Sequence, residues 1–168
     1  LNNLALHSEK KIKKLYLAYY KGKNIHFLSS FDKNYVINSI KITYKNLENK
    51  INIVPKNVNC VKFDSLKIKV PPTLIKLDTE GHDLNILIGM KNTIRKHKPV
   101  FLIEYNEDIF LKVCNFLKFY DPYIYNLSKD KFSRITGHNK KNISRTSEDN
   151  LLTSRNIFFI PKKKINYD

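Results

Sequence analysis

The chain has 168 residues, 42% hydrophobic and 12% aromatic, with only four Gly and six Pro; this suits one domain with a real core and excludes disordered and collagen-like classes. The formal charge is +16, yet 27 of the 31 basic residues are lysine and only Arg95, Arg134, Arg145 and Arg155 are arginine. Bidentate contacts to phosphates and base edges favour arginine, so the charge argues for solvated faces and against a nucleic-acid partner. No apolar run is long enough to span a membrane, no signal-type segment opens the chain, and Cys60 and Cys114 lie outside any CxxC pair, a pattern that predicts a reduced, cytoplasmic protein.

Residue 1 is Leu and the only methionine is Met90, so a fragment of a longer chain is expected. Ile12–Tyr20 is rich in β-formers and predicts a strand, turned by Gly22. Residues 25–39 read as a loop. Val36–Tyr44 then reads as an alternating strand with Ile37, Ile42 and Tyr44 inward, and Ile51–Val54 and Asn59–Phe63 as two shorter ones closed by Asp64.

Thr73–Leu77 is a short apolar run between Pro72 and Gly81 and predicts a buried strand. From His82 to Lys96 the period becomes helical, with Leu84, Leu87, Ile88, Lys91 and Ile94 on one face, until Pro99 stops it. Val100–Ile103 is a second apolar run, ending in Glu104. Strand, helix, strand is a βαβ unit, which joins parallel strands. Beyond it come a helix capped by Asp108 and running to Phe119, a strand at Tyr123–Leu127, a long polar loop or lid over Ser128–Asn150, and a last strand at Asn156–Ile160. The predicted class is α/β.

In open parallel sheets ligands sit beyond the carboxyl ends of the strands, where Asp78, Glu80 and Glu104 fall. A plainer reading stands beside each. Asp78 can be a helix N-cap and Glu80 and Asp83 first-turn charges; Glu104 can ion-pair with Lys76 or Lys98. Lys76 alternates with Asp78, so both project to one side of the strand and an ion pair between them is its structural option. His82, titrating near neutrality, is a second candidate base. The three carboxylates are hard oxygen ligands, but their spacing demands no metal and none is assigned.

The stretch KLDTEGHDLNILIGMKNTI followed by KPVFLIEYN resembles the FkbM-type methyltransferases, whose pattern here is K-[ILV]-D-x-E-G-x-[ED], an apolar helix and an apolar strand ending in Glu. Lys76, Asp78, Glu80, Gly81, Asp83, Leu87, Gly89 and Glu104 fall in register, with Asp83 where Glu is commoner. The likeness extends weakly to 61–66, like the family's L-D-x-L segment, and to Asn156–Lys162, like its closing strand. Asn3–Leu6 with His7-Ser8-Glu9 resembles the loop written A-[LV]-S-D, which flanks the adenine ring in related enzymes; His7 replaces the usual Ser, and a frayed terminus is the alternative.

The resemblance implies a Rossmann-like class I methyltransferase sheet, mostly parallel and N-terminally incomplete, with residues 1–168 forming the C-terminal portion of a single domain. It implies S-adenosylmethionine as cofactor, with Ala5, Leu6 and Asp78 at the cofactor, and O-methylation of a sugar, glycan or other small-molecule hydroxyl. Asp78, Glu80 and His82 are then the catalytic candidates and Glu104 the acceptor-binding one. The family's glycine-containing cofactor turn has no counterpart in the sequence, so this piece alone is expected to be weak or inactive. The competing reading is a non-catalytic basic module that binds RNA or anionic glycan on the same scaffold, anchored by runs such as Lys10–Lys14 or Lys162–Lys164.

Overall fold

In the computed structural model, which describes residues 4–126, 130–136 and 156–162, the chain divides into two units: Leu1–Leu66 with Asn85–Met90, and Lys67–Leu84 with Lys91–Asp168. The first is built on a long antiparallel pair, β2 (Lys11–Tyr20) and β4 (Ile51–Val61), in register from Lys11↔Cys60 to Tyr20↔Ile51. The short β1 (Ala5–Leu6) runs parallel to β4, and β3 (Lys23–Asn24) closes a hairpin on β2, giving the order β1-β4-β2-β3.

Pro55 does not interrupt β4, although sequence reading splits the strand around it. Its partner Tyr16 directs its N–H and C=O to Ser30 on the other side. The pair is therefore a non-hydrogen-bonded one, in which the N–H that proline lacks has no ladder partner to lose.

The expected strand over Val36–Tyr44 is a helix, α1 (Lys33–Thr43), and the loop expected before it also contains a short 3-10 turn, His26–Leu28. Asp32 caps α1, its carboxylate accepting from the Asn34 and Tyr35 N–H groups at 2.8 and 3.3 Å. Val36 and Ile40, one turn apart, are buried with Ala18, Leu28 and Ile51, while Ile42 is 73% exposed. The β-branched residues favour a strand locally, but the cap and one apolar helical face prevail.

The second unit holds a five-stranded sheet of order β5-β6-β9-β7-β8. Its strands are β5 (Leu74–Leu77), β6 (Val100–Glu104), β7 (Tyr120–Asn126), β8 (Lys131–Arg134) and β9 (Asn156–Pro161). The predicted crossover from β5 to β6 is present, but its helix is broken into α2 (Asp83–Gly89) and α3 (Lys91–His97). A fourth helix, α4 (Glu107–Phe116), precedes β7. Its cap is Asn106, which accepts from the Asp108 N–H at 3.0 Å, and not Asp108. The helix also stops at Phe116, short of the predicted Phe119.

The sheets are mixed, which corrects the expectation of a mostly parallel one. Only β1/β4 and β5/β6 pair parallel among the described strands; β2/β3, β2/β4, β6/β9, β7/β9 and β7/β8 are antiparallel. The reason lies in the place of β9. It inserts between β6 and β7, opposite in sense to both, so β5, β6 and β7 run one way while two of them never touch. Alternate residues of β6 and β9 make the core: Phe101 faces Phe159 and Ile103 faces Ile157, all buried. Rings of Tyr120 and Phe110 pack on Phe101 and Phe159 with centroids 5.8 and 6.4 Å apart. Part of the predicted polar loop is strand β8; residues 128–129 and 137–150 of it, and Lys163–Lys164 of the C-terminal lysine run, lie outside the described residues.

Candidate active site

The carboxyl edge of β5 and β6 gathers the acidic residues. Leu77 is in register with Ile103, so the next residues, Asp78 and Glu104, leave the parallel pair side by side. Glu80 joins them through a tight turn, in which Thr79 C=O accepts from the His82 N–H at 3.1 Å and φ is +49° at Glu80 and +85° at Gly81. Two successive positive φ values closed by such a bond mark a type I′ turn. Gly81 suits it because of its backbone conformation, since an added Cβ would meet only Asn106 Nδ2 at 3.7 Å. Glu80 holds a left-handed conformation that costs a non-glycine residue about 1–2 kcal/mol. One ligand oxygen each from Asp78, Glu80 and Glu104 lies within 4.8 Å of the others.

Asp78 is about half exposed and accepts from Lys76 Nζ at 2.8 Å. Lys76 thus takes its structural option and orients the Asp78 carboxylate. The hydrogen bond to Asp78, then that carboxylate's charge, and more weakly Glu104, raise the Lys76 pKa. The cluster brings three acids together, one of them paired with Lys76. It suits hydroxyl donors, a proton to be accepted, or a cationic group, and its oxygen donors are of the type that holds Mg²⁺ or Ca²⁺.

Asp83 is the residue sequence reading undervalued. Read in its plain alternative as a first-turn charge, it opens α2 but is only 2% exposed, and Thr79 Oγ1 donates to its Oδ1 at 2.7 Å. Burial raises its pKa; the Thr79 hydrogen bond opposes that rise, and the charges of Asp78 and Glu80 add to it. The only hint in the sequence was its place in the D-x-E-G-x-[ED] pattern. The sign for stability follows: a raised native pKa contributes stability that is fully present below the ordinary value of 3.8 and is lost as pH rises through the native value. Asp83→Asn is therefore expected to flatten that part of the stability–pH curve. Thermal unfolding of both proteins from acid to neutral pH checks it; parallel curves would remove Asp83 as the cause. His82, in the same turn, is buried at 9% exposure.

The family model for the methyltransferase FkbM domain matches residues 1–130. The chain belongs to this family. A solved structure of the FkbM methyltransferase from Methylobacillus flagellatus KT is 20% identical, with a TM-score of 0.39 over 76% of this chain; the chain spans 34% of that protein's length. No curated protein matches. Neither finding supports the reading as a basic RNA- or glycan-binding module.

In this FkbM domain the other predicted site residues, Ala5 and Leu6, lie in the first unit. They are paired in β1 with Cys60 and Val61, and His7 N–H continues the pairing to Val61 C=O at 2.9 Å. A paired strand replaces the alternative of a frayed end for these residues. His7 is buried, and its Nδ1 accepts from the Ser8 hydroxyl at 3.0 Å and the Glu9 N–H at 3.3 Å, which places the neutral ring's proton on Nε2. Burial first, then Lys11 and Lys13, lower its pKa. The His7 carbonyl lies against α2 at Gly89, where an added Cβ would come within 2.1 Å of its oxygen. The family glycine at this position thus serves a close backbone approach.

Proposed function

We propose that this FkbM domain transfers a methyl group from S-adenosylmethionine to a hydroxyl oxygen of a sugar, glycan or other small-molecule acceptor. The observation that carries the reading is the meeting of Asp78, Glu80 and Glu104 at the carboxyl edge of a parallel strand pair, in a chain whose family match spans both units. We take the two units as parts of one methyltransferase domain, and β5, β6 and β7 as its Rossmann-like strands.

When bound, S-adenosylmethionine supplies the methyl group on a sulfonium, and an acidic edge fits a cation of that kind. Ala5, Leu6 and Asp78 are the residues assigned to hold it. An alcohol oxygen is a poor nucleophile until its proton has somewhere to go. Asp78, half exposed and steered by Lys76, accepts that proton. Glu80 and Glu104 accept hydrogen bonds from acceptor hydroxyls and so set which oxygen is presented, a positioning role in which small displacements are costly. His82 is the alternative base. Its burial makes it the less accessible of the two. Cys60 and Cys114, neither in a disulfide, accord with a reducing, cytoplasmic setting, and among the described residues no helix is long and apolar enough to cross a membrane.

Calorimetric titration with S-adenosylmethionine, on the 168-residue chain and on any longer natural chain containing it, tests the cofactor assignment. Tight binding is expected from a chain that carries the complete cofactor loop, and weak or no binding from the 168 residues alone. No binding by either would end the methyltransferase reading; equal tight binding by the shorter chain would end the view that the cofactor loop lies outside it.

A further inference from the structure

A cleft of about 610 Å³ opens in the second unit between the end of α3 and the junction of α4 with β7. Its apolar lining comes from Ile94, Phe116, Phe119 and Tyr120. Three of its cations stand on one stripe: Lys91 and Arg95, one helical turn apart on α3, and Lys98 just after it, where φ of +48° and Pro99 end the helix. Lys118 and Lys162 complete the set, with Lys162 Nζ donating to the Lys118 carbonyl at 2.8 Å.

Like charges one turn apart repel, so the arrangement is unfavourable until an anion joins it. Among the described residues Lys91, Arg95, Lys98 and Lys118 form no ion pair, and the nearest carboxylate in a pairing, Asp121, reaches only Lys162 at 3.9 Å and is shared with Arg134. Tyr120 lines the cleft at 6% exposure, and its buried hydroxyl has no hydrogen-bond partner among the described residues. Buried polar groups are seldom left so. Burial alone pushes this phenol up to about 12, so the group stays a neutral donor.

We infer that the cleft binds a single-tailed amphiphile with a phosphate head, its chain along Ile94, Phe116 and Phe119 and its head among Arg95, Lys98 and Lys118. A phosphate is favoured because several of the lining residues are cations, one of them a guanidinium fork. A free amphiphile is favoured over a bilayer surface because the apolar residues line a concavity of ligand-pocket size. The inference is independent of the methyl-transfer reading.

The test titrates the chain with dodecyl phosphate below its micelle concentration, beside dodecanol, inorganic phosphate and phosphatidic-acid vesicles. Dodecyl phosphate is expected to bind more tightly than dodecanol or inorganic phosphate, because both halves of the ligand are used. Replacing Arg95 and Lys98, both exposed, by Gln is expected to weaken binding by about tenfold per cation removed. Binding of inorganic phosphate as tight as that of dodecyl phosphate, binding to vesicles alone, no binding, or unchanged affinity in both variants would each overturn the assignment.

Discussion

Asp78→Asn is expected to lower the methyl-transfer turnover number by roughly 10²–10⁴-fold, the usual contribution of a positioned general base, equivalent to about 3–5 kcal/mol of barrier. The substitution keeps the side-chain shape but removes the ability to take a proton and the charge that faces Lys76. The Michaelis constant for the acceptor should therefore change little while turnover falls. Stability should hardly move, because Asp78 and Lys76 are both about half exposed and water screens their pair. Lys76→Gln separates position from chemistry: it leaves the base in place but frees it, so its effect on turnover should be smaller. The measurement is initial-rate kinetics with labelled S-adenosylmethionine in the catalytically competent protein. Turnover near the wild-type rate in Asp78→Asn would reduce Asp78 to a turn residue and pass the proton to Glu80 or His82.

Gly89→Ala is expected to destabilise the protein by about 1–3 kcal/mol, the cost of overpacking a well-filled site. The sign is the informative part. At an ordinary helical position the same change stabilises by about 0.8–1.0 kcal/mol, because alanine is the better helix former. Here the new Cβ would fall 2.1 Å from the His7 oxygen and 2.9 Å from its carbonyl carbon. Both are backbone atoms, so no rotamer change relieves the clash. Either α2 or the chain after β1 must move. Because Ala5 and Leu6 lie directly before His7, a shift also reaches the residues assigned to the cofactor. Thermal unfolding checks the stability, and the His7 imidazole resonances report the local displacement. A higher melting temperature with an unmoved His7 would show that the two backbones do not approach this closely.

How much of this was legible depends on the range over which each feature is decided. Asp78, Glu80 and Glu104 were readable as strand-end acids because a short apolar run, a turn glycine and a proline stop delimit β5 and β6 locally. The Lys76–Asp78 pair followed from their two-residue spacing. Helix α1 was not read correctly, because Val36, Ile40 and Tyr44 satisfy both periods and only the packing of Val36 and Ile40 on Ala18 and Ile51 chooses between them.

The sequence by itself determined the family, through a motif whose residues lie within one strand–turn–helix–strand unit, and with it the acidic edge. Tertiary structure alone decided that β9 enters between β6 and β7 and makes the sheet mixed, since strand order is set by contacts between distant segments. It also decided that Asp83 is buried rather than solvated, and that Gly89 meets the backbone of His7, eighty-two positions earlier in the chain. Burial and close approach belong to surfaces brought together by folding, and no local pattern of residues encodes them.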